Sequence, residues 1–179
     1  MRWQDLNREV AAKLAGNHAL ADQRPFILID SRQQQLHCID IEAGNNRSYP
    51  VSTAKNGMGT RLDSHKTPFG IHQIRQKVGG GQPIGAVFEG RQPTGRIASD
   101  LDNREQDEIT SRILWLDGLE EGLNRGGVYD TYSRYIYIHG TSDEKRIGEP
   151  VSGGCIRMRN VDVIELFDEV LLNDLVVIR

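Results

Sequence analysis

Hydrophobic residues near the start of the chain follow the spacing of a helix. Leu6, Val10 and Leu14 recur at every fourth position and would form one apolar face of an α-helix. The pattern predicts a short amphipathic helix over residues 3–15, ended by the glycine and asparagine that follow. We expect this helix to pack against a larger domain.

From Pro25 onward the pattern is that of β-strands. Short runs rich in β-branched and aromatic residues alternate with turn-forming segments, which indicates a β-meander followed by further strands. The predicted strands are FILID (26–30), QLHCIDI (35–41), RSYPVST (47–53), TPFGIHQI (67–74), ILWLDG (113–118), SRYIYIHG (133–140) and LVVIR (175–179). The glycine- and proline-rich segment 78–96 predicts a long surface loop instead.

Helical spacing returns once before the last strand. Asn160 is suited to cap a helix, and Ile164, Phe167 and Leu171 would share one stripe of that helix. A few short helices among many short strands indicate a mainly β fold.

Length and composition fit this organisation. A chain of 179 residues, 37% hydrophobic and 26% charged, is long enough to bury one sizeable core. We therefore predict an N-terminal helical extension over residues 1–24 and one mainly β domain with short helices over residues 25–179. The 22 basic and 25 acidic side chains nearly balance, so nucleic acid is not expected as a partner.

Apolar runs are too short for export or membrane insertion. The first 25 residues hold no run as long as a signal-peptide core, and no segment is long enough to span a bilayer. We expect a cytoplasmic protein with no membrane partner, whose two cysteines, Cys38 and Cys155, are reduced thiols. Cys38 lies within a predicted strand and is expected in the core.

The predicted strand SRYIYIHG carries a candidate base. Its alternation places Tyr135, Tyr137 and His139 on the face opposite to its isoleucines. His139 stands where the chain turns at Gly140, so we expect its imidazole to be exposed at the rim of a cleft. Tyr137 shares this face and is a candidate substrate-binding residue.

Cys155 is a candidate nucleophile for this base. A cysteine thiol is only slightly ionised at neutral pH, so a catalytic thiol needs a nearby base or positive charge. The segment between His139 and Cys155 is long enough to return the thiol to the imidazole. Gly153 and Gly154 lack Cβ atoms, so the amides of Gly154 and Cys155 are candidates for an oxyanion hole. The spacing alone also fits a surface histidine and a buried cysteine without a catalytic role.

Other polar residues are weaker candidates for chemistry. His37, His65 and His72 share no metal-ligand spacing with either cysteine, so neither a metal nor another cofactor is predicted. The acidic and basic residues of segment 143–146 predict a solvated loop face.

Several motifs carry a resemblance to a known family. YPVSTAKNGMG and TPFG lie upstream of HGT, of a loop containing IG, P and S, and of GCIRMRNVDV. Together they resemble the L,D-transpeptidase catalytic domain, the YkuD family, over residues 25–179. The resemblance implies a β-sandwich-like fold. It also implies a cysteine nucleophile that attacks the carbonyl of an L-centre followed by a D-residue in peptidoglycan stem peptides.

The resemblance also assigns site residues. Cys155 resembles the nucleophile and His139 the base that takes its proton, and the carbonyl of Gly140 would orient the imidazole. Ser152 matches a hydroxyl residue three positions before the cysteine, and Arg157 an arginine two positions after it. We expect Arg157 to orient the active-site loop or a substrate carboxylate, with a structural salt bridge within the loop as the alternative.

One position departs from the family pattern. Most members read Ser-His-Gly-Cys, whereas this chain has Gly153 in place of the histidine. The first hypothesis is an L,D-carboxypeptidase that removes the terminal D-alanine from soluble tetrapeptides with meso-diaminopimelate during cell-wall recycling, through a thioester acyl-enzyme. The second is an L,D-transpeptidase that forms cross-links or exchanges D-amino acids. The third is a catalytically silent muropeptide-binding domain.

Overall fold

The computed structural model describes residues 26–39, 46–98 and 107–179. These residues form ten β-strands and one α-helix, α1 (Asn160–Glu169), which confirms the mainly β prediction. The strands are β1 (Phe26–Asp30), β2 (Gln35–Ile39), β3 (Asn46–Pro50), β4 (Gly70–Val78), β5 (Ala86–Glu89), β6 (Gln92–Ile97), β7 (Ile109–Gly118), β8 (Tyr137–Thr141), β9 (Ile156–Met158) and β10 (Leu175–Ile178). The predicted helix 3–15 and the predicted extension 1–24 lie outside the described residues.

The ten strands belong to one hydrogen-bonded sheet that branches at β7. The main path runs in the order β3-β2-β1-β10-β4-β7-β5-β6. The branch consists of β8, which pairs antiparallel with β7, and β9, which pairs in parallel with β8. Strand β8 therefore lies between two partners, and this position determines how the candidate site is buried.

The largest hydrophobic core packs α1 against the sheet. Strands β1, β4, β7, β8, β9 and β10 contribute buried aliphatic side chains, and α1 covers them with Val163, Leu166 and Phe167. Burying one such side chain contributes about 1.5–3 kcal/mol. A second cluster forms around Phe88 and Trp115 and extends to the candidate nucleophile.

Helix α1 buries a different stripe from the predicted one. Phe167 is buried as predicted, but its buried partners are Val163 and Leu166. Leu171 is exposed because the helix has already ended at position 169. Asn160 is the first helical residue and not its cap, since its side chain bonds to neighbouring segments. In the described part of the chain, no helix has the length and apolar character needed to cross a membrane.

The second half of the segment predicted as a surface loop forms the β5–β6 hairpin, whereas residues 79–85 form an irregular connection from β4 to β5. Glu89 pairs with Gln92, and Gly90 and Arg91 form the turn between them with φ values of 54° and 69°. Two positive φ values in a two-residue turn fit the twist of the flanking strands. Pro93 is tolerated because β6 is an edge strand. Residues 86–96 therefore contradict the loop prediction, and residues 79–85 agree with it.

The two strands at the branch differ in length from the prediction. Strand β7 starts at Ile109, four residues before the predicted start at position 113, and contains a bulge at which Ser111 has φ 60°. Strand β8 starts only at Tyr137, because Tyr135 has φ 56° and interrupts the extended backbone.

Candidate active site

Pairing between β8 and β9 brings the predicted catalytic residues to one face of the sheet. His139 lies opposite Arg157 in the parallel register, and Cys155 directly precedes β9. Because side chains alternate along a strand, Tyr137 shares a side with His139, and Cys155 shares one with Arg157. The Tyr137 N–H donates a hydrogen bond to Cys155 Sγ at 3.4 Å. The sulfur is therefore held beside the residue two positions before the histidine.

His139 is buried, which corrects the prediction of an imidazole exposed at a cleft rim. Only 3% of its surface is exposed, because β8 lies inside the sheet between β7 and β9. Its Nδ1 lies 2.7 Å from the carbonyl oxygen of Gly140. A carbonyl only accepts hydrogen bonds, so Nδ1 carries the ring proton and Nε2 is the unprotonated nitrogen. This contact with Gly140 is the one that the family resemblance implied.

The His139 imidazole is neutral near neutral pH. Burial lowers its pKa below the ordinary value, and the negative charge of Asp107 opposes this effect. A neutral imidazole with a free Nε2 lone pair is the form that accepts a proton from a thiol.

Position 140 requires glycine because the chain segments approach closely there. A Cβ on Gly140 would lie 2.6 Å from the Thr110 carbonyl oxygen and 2.7 Å from Asn160 Oδ1. Neither distance leaves room for a methyl group. The same close packing holds the Gly140 carbonyl that orients His139.

Asn160 connects the segments around this carbonyl, a role that the sequence analysis missed. Its Oδ1 accepts hydrogen bonds from the hydroxyls of Thr110 and Ser111 at 2.6 and 2.5 Å. Its Nδ2 donates to the Thr141 carbonyl at 3.0 Å and to Glu144 Oε1 at 2.6 Å. Glu144 also accepts from the Asn160 backbone N–H at 2.7 Å, so this residue binds the start of α1 and is not part of a merely solvated face. The asparagine of the GCIRMRNVDV motif was the available signal.

The Cys155 thiol is neutral at rest. Its Sγ accepts a hydrogen bond from the Tyr137 N–H and donates one to the Tyr135 carbonyl, both at 3.4 Å. Burial raises the pKa of Cys155 to about 11, while the Tyr137 N–H and the charge of Arg157 act in the opposite direction. Roughly one such thiol in ten thousand is ionised at pH 7, so a base is needed to form the nucleophile.

Ser152 holds the loop that leads into Cys155. Its hydroxyl donates to the Cys155 carbonyl at 2.5 Å and accepts from the Gly154 N–H at 3.2 Å. Gly154 has a φ of 142°, which favours glycine. The Gly154 amide therefore stabilises the loop, which does not fit its predicted role as an oxyanion donor. Of the two amides predicted to form an oxyanion hole, the Cys155 N–H remains the candidate donor.

Gly153 faces open space. It is exposed, and a Cβ at this position would meet no atom within 4 Å. Packing therefore does not require glycine here. The space that a histidine would occupy is open volume two residues from the candidate nucleophile.

Arg157 forms a buried ion pair with a residue outside the loop. Its Nε lies 2.8 Å from Asp107 Oδ2, and only 12% and 9% of the two side chains are exposed. Asp107 also accepts a hydrogen bond from the Thr141 hydroxyl. Arg157 thus ties β9 to the residues before β7. Arg157 therefore forms a structural salt bridge, although its partner lies outside the loop in which the salt bridge was expected. A buried guanidinium does not fit direct contact with a substrate carboxylate.

Tyr137 forms part of an aromatic wall beside the thiol. Its side chain is buried, its ring meets that of Trp115 edge-on at 5.4 Å, and its hydroxyl accepts a hydrogen bond from Arg91 at 3.1 Å. Trp115 also stacks on Tyr132, with ring centroids 4.1 Å apart. The predicted role of the Tyr137 side chain in binding substrate does not fit its burial, because its hydroxyl faces Arg91.

Arg134 was also missed by the sequence analysis. Its guanidinium donates hydrogen bonds to the carbonyls of Thr60 and Lys66 at 2.9 and 2.7 Å. The same segment contacts the nucleophile loop, because the Thr67 hydroxyl donates to the Gly154 carbonyl at 3.0 Å. Burial lowers the pKa of Arg134, but a guanidinium stays charged at neutral pH, and this charge favours the thiolate of Cys155.

The remaining sequence candidates lie apart from this site. Cys38 packs against the main core from β2, and burial raises its pKa to about 12. His72 is fully buried, and its ring nitrogens contact Gly70 and Thr131. Within the three described ranges, no group of three or more His, Cys, Asp or Glu side chains is arranged to hold a metal ion.

Known proteins share sequence with the part of the chain that builds this site. A family model described as YkuD, L,D-transpeptidase catalytic domain, matches residues 24–178. YkuD of Bacillus subtilis strain 168, which is named as an L,D-transpeptidase, is 48% identical over 48 residues. The match covers 24% of this chain and 29% of the Bacillus protein, which is well under two thirds of that relative.

Solved structures share the fold at low sequence identity. L,D-transpeptidase 3 from Mycobacterium tuberculosis is 14% identical with a TM-score of 0.54, over 87% of this chain and 60% of that chain. Bd1075 from Bdellovibrio bacteriovorus is 18% identical with a TM-score of 0.54, over 89% of this chain and 49% of that chain. Because the family model matches most of the chain, the chain belongs to the YkuD family of L,D-transpeptidase catalytic domains.

Proposed function

We propose that this protein is a cysteine L,D-carboxypeptidase that removes the terminal D-alanine from soluble peptidoglycan tetrapeptides. Its substrate would be a stem peptide in which D-alanine follows the L-centre of meso-diaminopimelate. Its place would be the cytoplasm, where such peptides are recycled. Family membership and the contacts of Cys155 and His139 support cysteine chemistry on this class of peptide.

Acyl-enzyme formation uses Cys155 and His139. His139 Nε2 takes the thiol proton as Sγ attacks the carbonyl of the L-centre. The Cys155 N–H is the proposed donor to the oxygen that becomes negatively charged. The C–N bond then breaks, and the imidazolium returns its proton to the departing amine of D-alanine. A thioester between Cys155 and the tripeptide remains.

Water completes the reaction in this proposal. His139 removes a proton from water as its oxygen attacks the thioester carbonyl, and the C–S bond breaks to give a tripeptide carboxylate. The returning thiolate recovers a proton from the imidazolium. The observation that carries the choice of water is the open space at Gly153, because it leaves room for solvent beside the acyl group.

Isotope labelling distinguishes hydrolysis from transfer. We would incubate purified protein with a soluble tetrapeptide in H₂¹⁸O, with D-methionine present as a competing amine, and analyse products by mass spectrometry. The expected products are unlabelled D-alanine and a tripeptide with one ¹⁸O atom in its new carboxylate. Cys155→Ala is the inactive control.

A second variant tests the role of the open space. Gly153→His should fold normally, because its Cβ meets no atom, and should lower the share of product that arises by hydrolysis. Products dominated by exchanged tetrapeptides or cross-linked dimers would identify a transpeptidase. Tight binding of the tetrapeptide without any turnover would identify a silent muropeptide-binding domain.

A further inference from the structure

A polar cavity lies next to the aromatic wall of the site. It has a volume of about 310 Å³ and is bordered by the β5–β6 hairpin and the glycines that follow β4. Its polar lining consists of three glutamines and one arginine beside the ring of Phe88, namely Gln76, Gln82, Gln92 and Arg91. Amide and guanidinium groups bind carboxylates and peptide groups. The cavity is therefore suited to an anionic, peptide-like ligand.

Arg91 occupies a turn position whose backbone conformation disfavours arginine. With Gly90 it forms the two-residue turn of the hairpin, and its φ is 69°. Turns of this type favour Gly, Asn or Asp at both positions, because other side chains are strained in the left-handed region. Strained residues of this kind are concentrated at functional sites. An arginine here suggests selection for its guanidinium group.

Tyr137 connects this guanidinium to the candidate nucleophile. The Tyr137 N–H contacts Cys155 Sγ at 3.4 Å, and the Tyr137 hydroxyl accepts a hydrogen bond from Arg91 Nη1 at 3.1 Å. Tyr137 therefore contacts the sulfur with its backbone and the cation with its hydroxyl, so a single residue links the two groups. The guanidinium also lies over the rings of Trp115 and Tyr135, at 4.8 and 5.1 Å, so its position is defined.

We propose that Arg91 binds a free carboxylate of the acyl-donor peptide, with the three glutamines around the adjoining peptide groups. This inference rests on the proposed function. A guanidinium has five N–H donors, and the bond to Tyr137 uses one of them. Two carboxylates of the tetrapeptide are candidates: the one on the side chain of meso-diaminopimelate and the α-carboxylate of the γ-linked D-glutamate. Both have the chemistry that a guanidinium recognises.

Equilibrium binding tests this inference without requiring turnover. We would measure calorimetric binding of three synthetic tetrapeptides to protein carrying Cys155→Ala: one with both carboxylates free, and two with one or the other amidated. The same peptides would be tested after adding Arg91→Asn, which removes the guanidinium and suits the left-handed turn. Arg75→Gln is the matched control, because Arg75 lies over the Tyr132 ring at 4.2 Å but does not line the cavity.

The expected result is selective loss of affinity. Amidation of the recognised carboxylate should weaken binding about tenfold in the parent protein, and the affected peptide identifies which carboxylate it is. Arg91→Asn should weaken binding of the free peptide by the same factor and abolish the discrimination, whereas Arg75→Gln should change neither.

Two other results would overturn the inference in different ways. Arg91→Asn could lower the affinity for all three peptides equally, or it could leave all three affinities unchanged. Either result would reduce Arg91 to a support for the aromatic wall and leave the proposed function intact. Failure of every peptide to bind any variant would refute the proposed function and this inference together.

Discussion

Asp107→Asn should destabilise the fold strongly, although asparagine and aspartate have nearly the same shape. Asp107 is the partner of Arg157 at 2.8 Å, and both side chains are about nine-tenths buried. The substitution removes the negative charge and leaves the guanidinium charge buried without compensation. It also weakens the acceptor of the Thr141 hydroxyl bond.

The magnitude follows from the burial of the pair. Removing one member of a buried ion pair costs about 3–5 kcal/mol, and the slight exposure of both side chains favours the lower end. We expect Asp107→Asn and Arg157→Met each to lower the free energy of unfolding by about 3 kcal/mol. The double variant should cost less than their sum by about 2 kcal/mol, because it leaves neither charge alone.

Urea unfolding at pH 7 provides the measurement. The free energies of unfolding of the four proteins in the double-mutant cycle would be compared, with unchanged m-values as the check that the transitions are equivalent. Arg125→Gln is the control, since Arg125 forms an exposed pair with Glu121, and its loss should cost about 0.5 kcal/mol or less. The ion pair would contribute nothing to stability if Asp107→Asn cost no more than the control and if the effects of the two single variants simply added in the double variant.

Two further predictions concern His72 and Gly140. His72 is fully buried, and burial lowers its pKa to about 4. Between pH 4 and pH 6.5 the imidazole is therefore protonated in the unfolded chain but neutral in the folded protein. The free energy of unfolding should fall by about 3 kcal/mol on acidification from pH 7 to pH 4. His72→Gln should lose this part of the pH dependence in urea unfolding, and an unchanged slope would contradict the assignment. Gly140→Ala would place Cβ 2.6 Å from a carbonyl oxygen, so it should cost about 1–3 kcal/mol and displace the acceptor of His139. The turnover of Gly140→Ala should fall by more than the loss of folded protein accounts for. Normal turnover would remove Gly140 from the proposed mechanism.

Local patterns in the sequence were sufficient for much of the fold and for the candidate nucleophile and base. The FILID and LVVIR runs predicted β1 and β10, because β-branched residues between turn signals favour short strands wherever they pack. Cys155 and His139 were predicted from local motifs, and the role of the Gly140 carbonyl followed from the family resemblance of the same segment. The two-residue turn at Gly90 and Arg91 was missed, because its glycine and proline neighbours indicate loops and hairpins alike.

The tertiary structure alone decided which of these groups are buried and which charges compensate one another. His139 was expected at a cleft rim, but it is covered because β9 returns in parallel beside β8, a pairing between distant segments. Asp107 reaches Arg157 only because β7, β8 and β9 are neighbours in the sheet, and no local pattern relates the two residues. The burial of a side chain and its charged partners depend on contacts between distant segments. The pattern of hydrophobic and polar residues within one segment therefore cannot predict them. The sequence by itself therefore predicted candidate reactive groups, and the fold decided their burial and their charged neighbours.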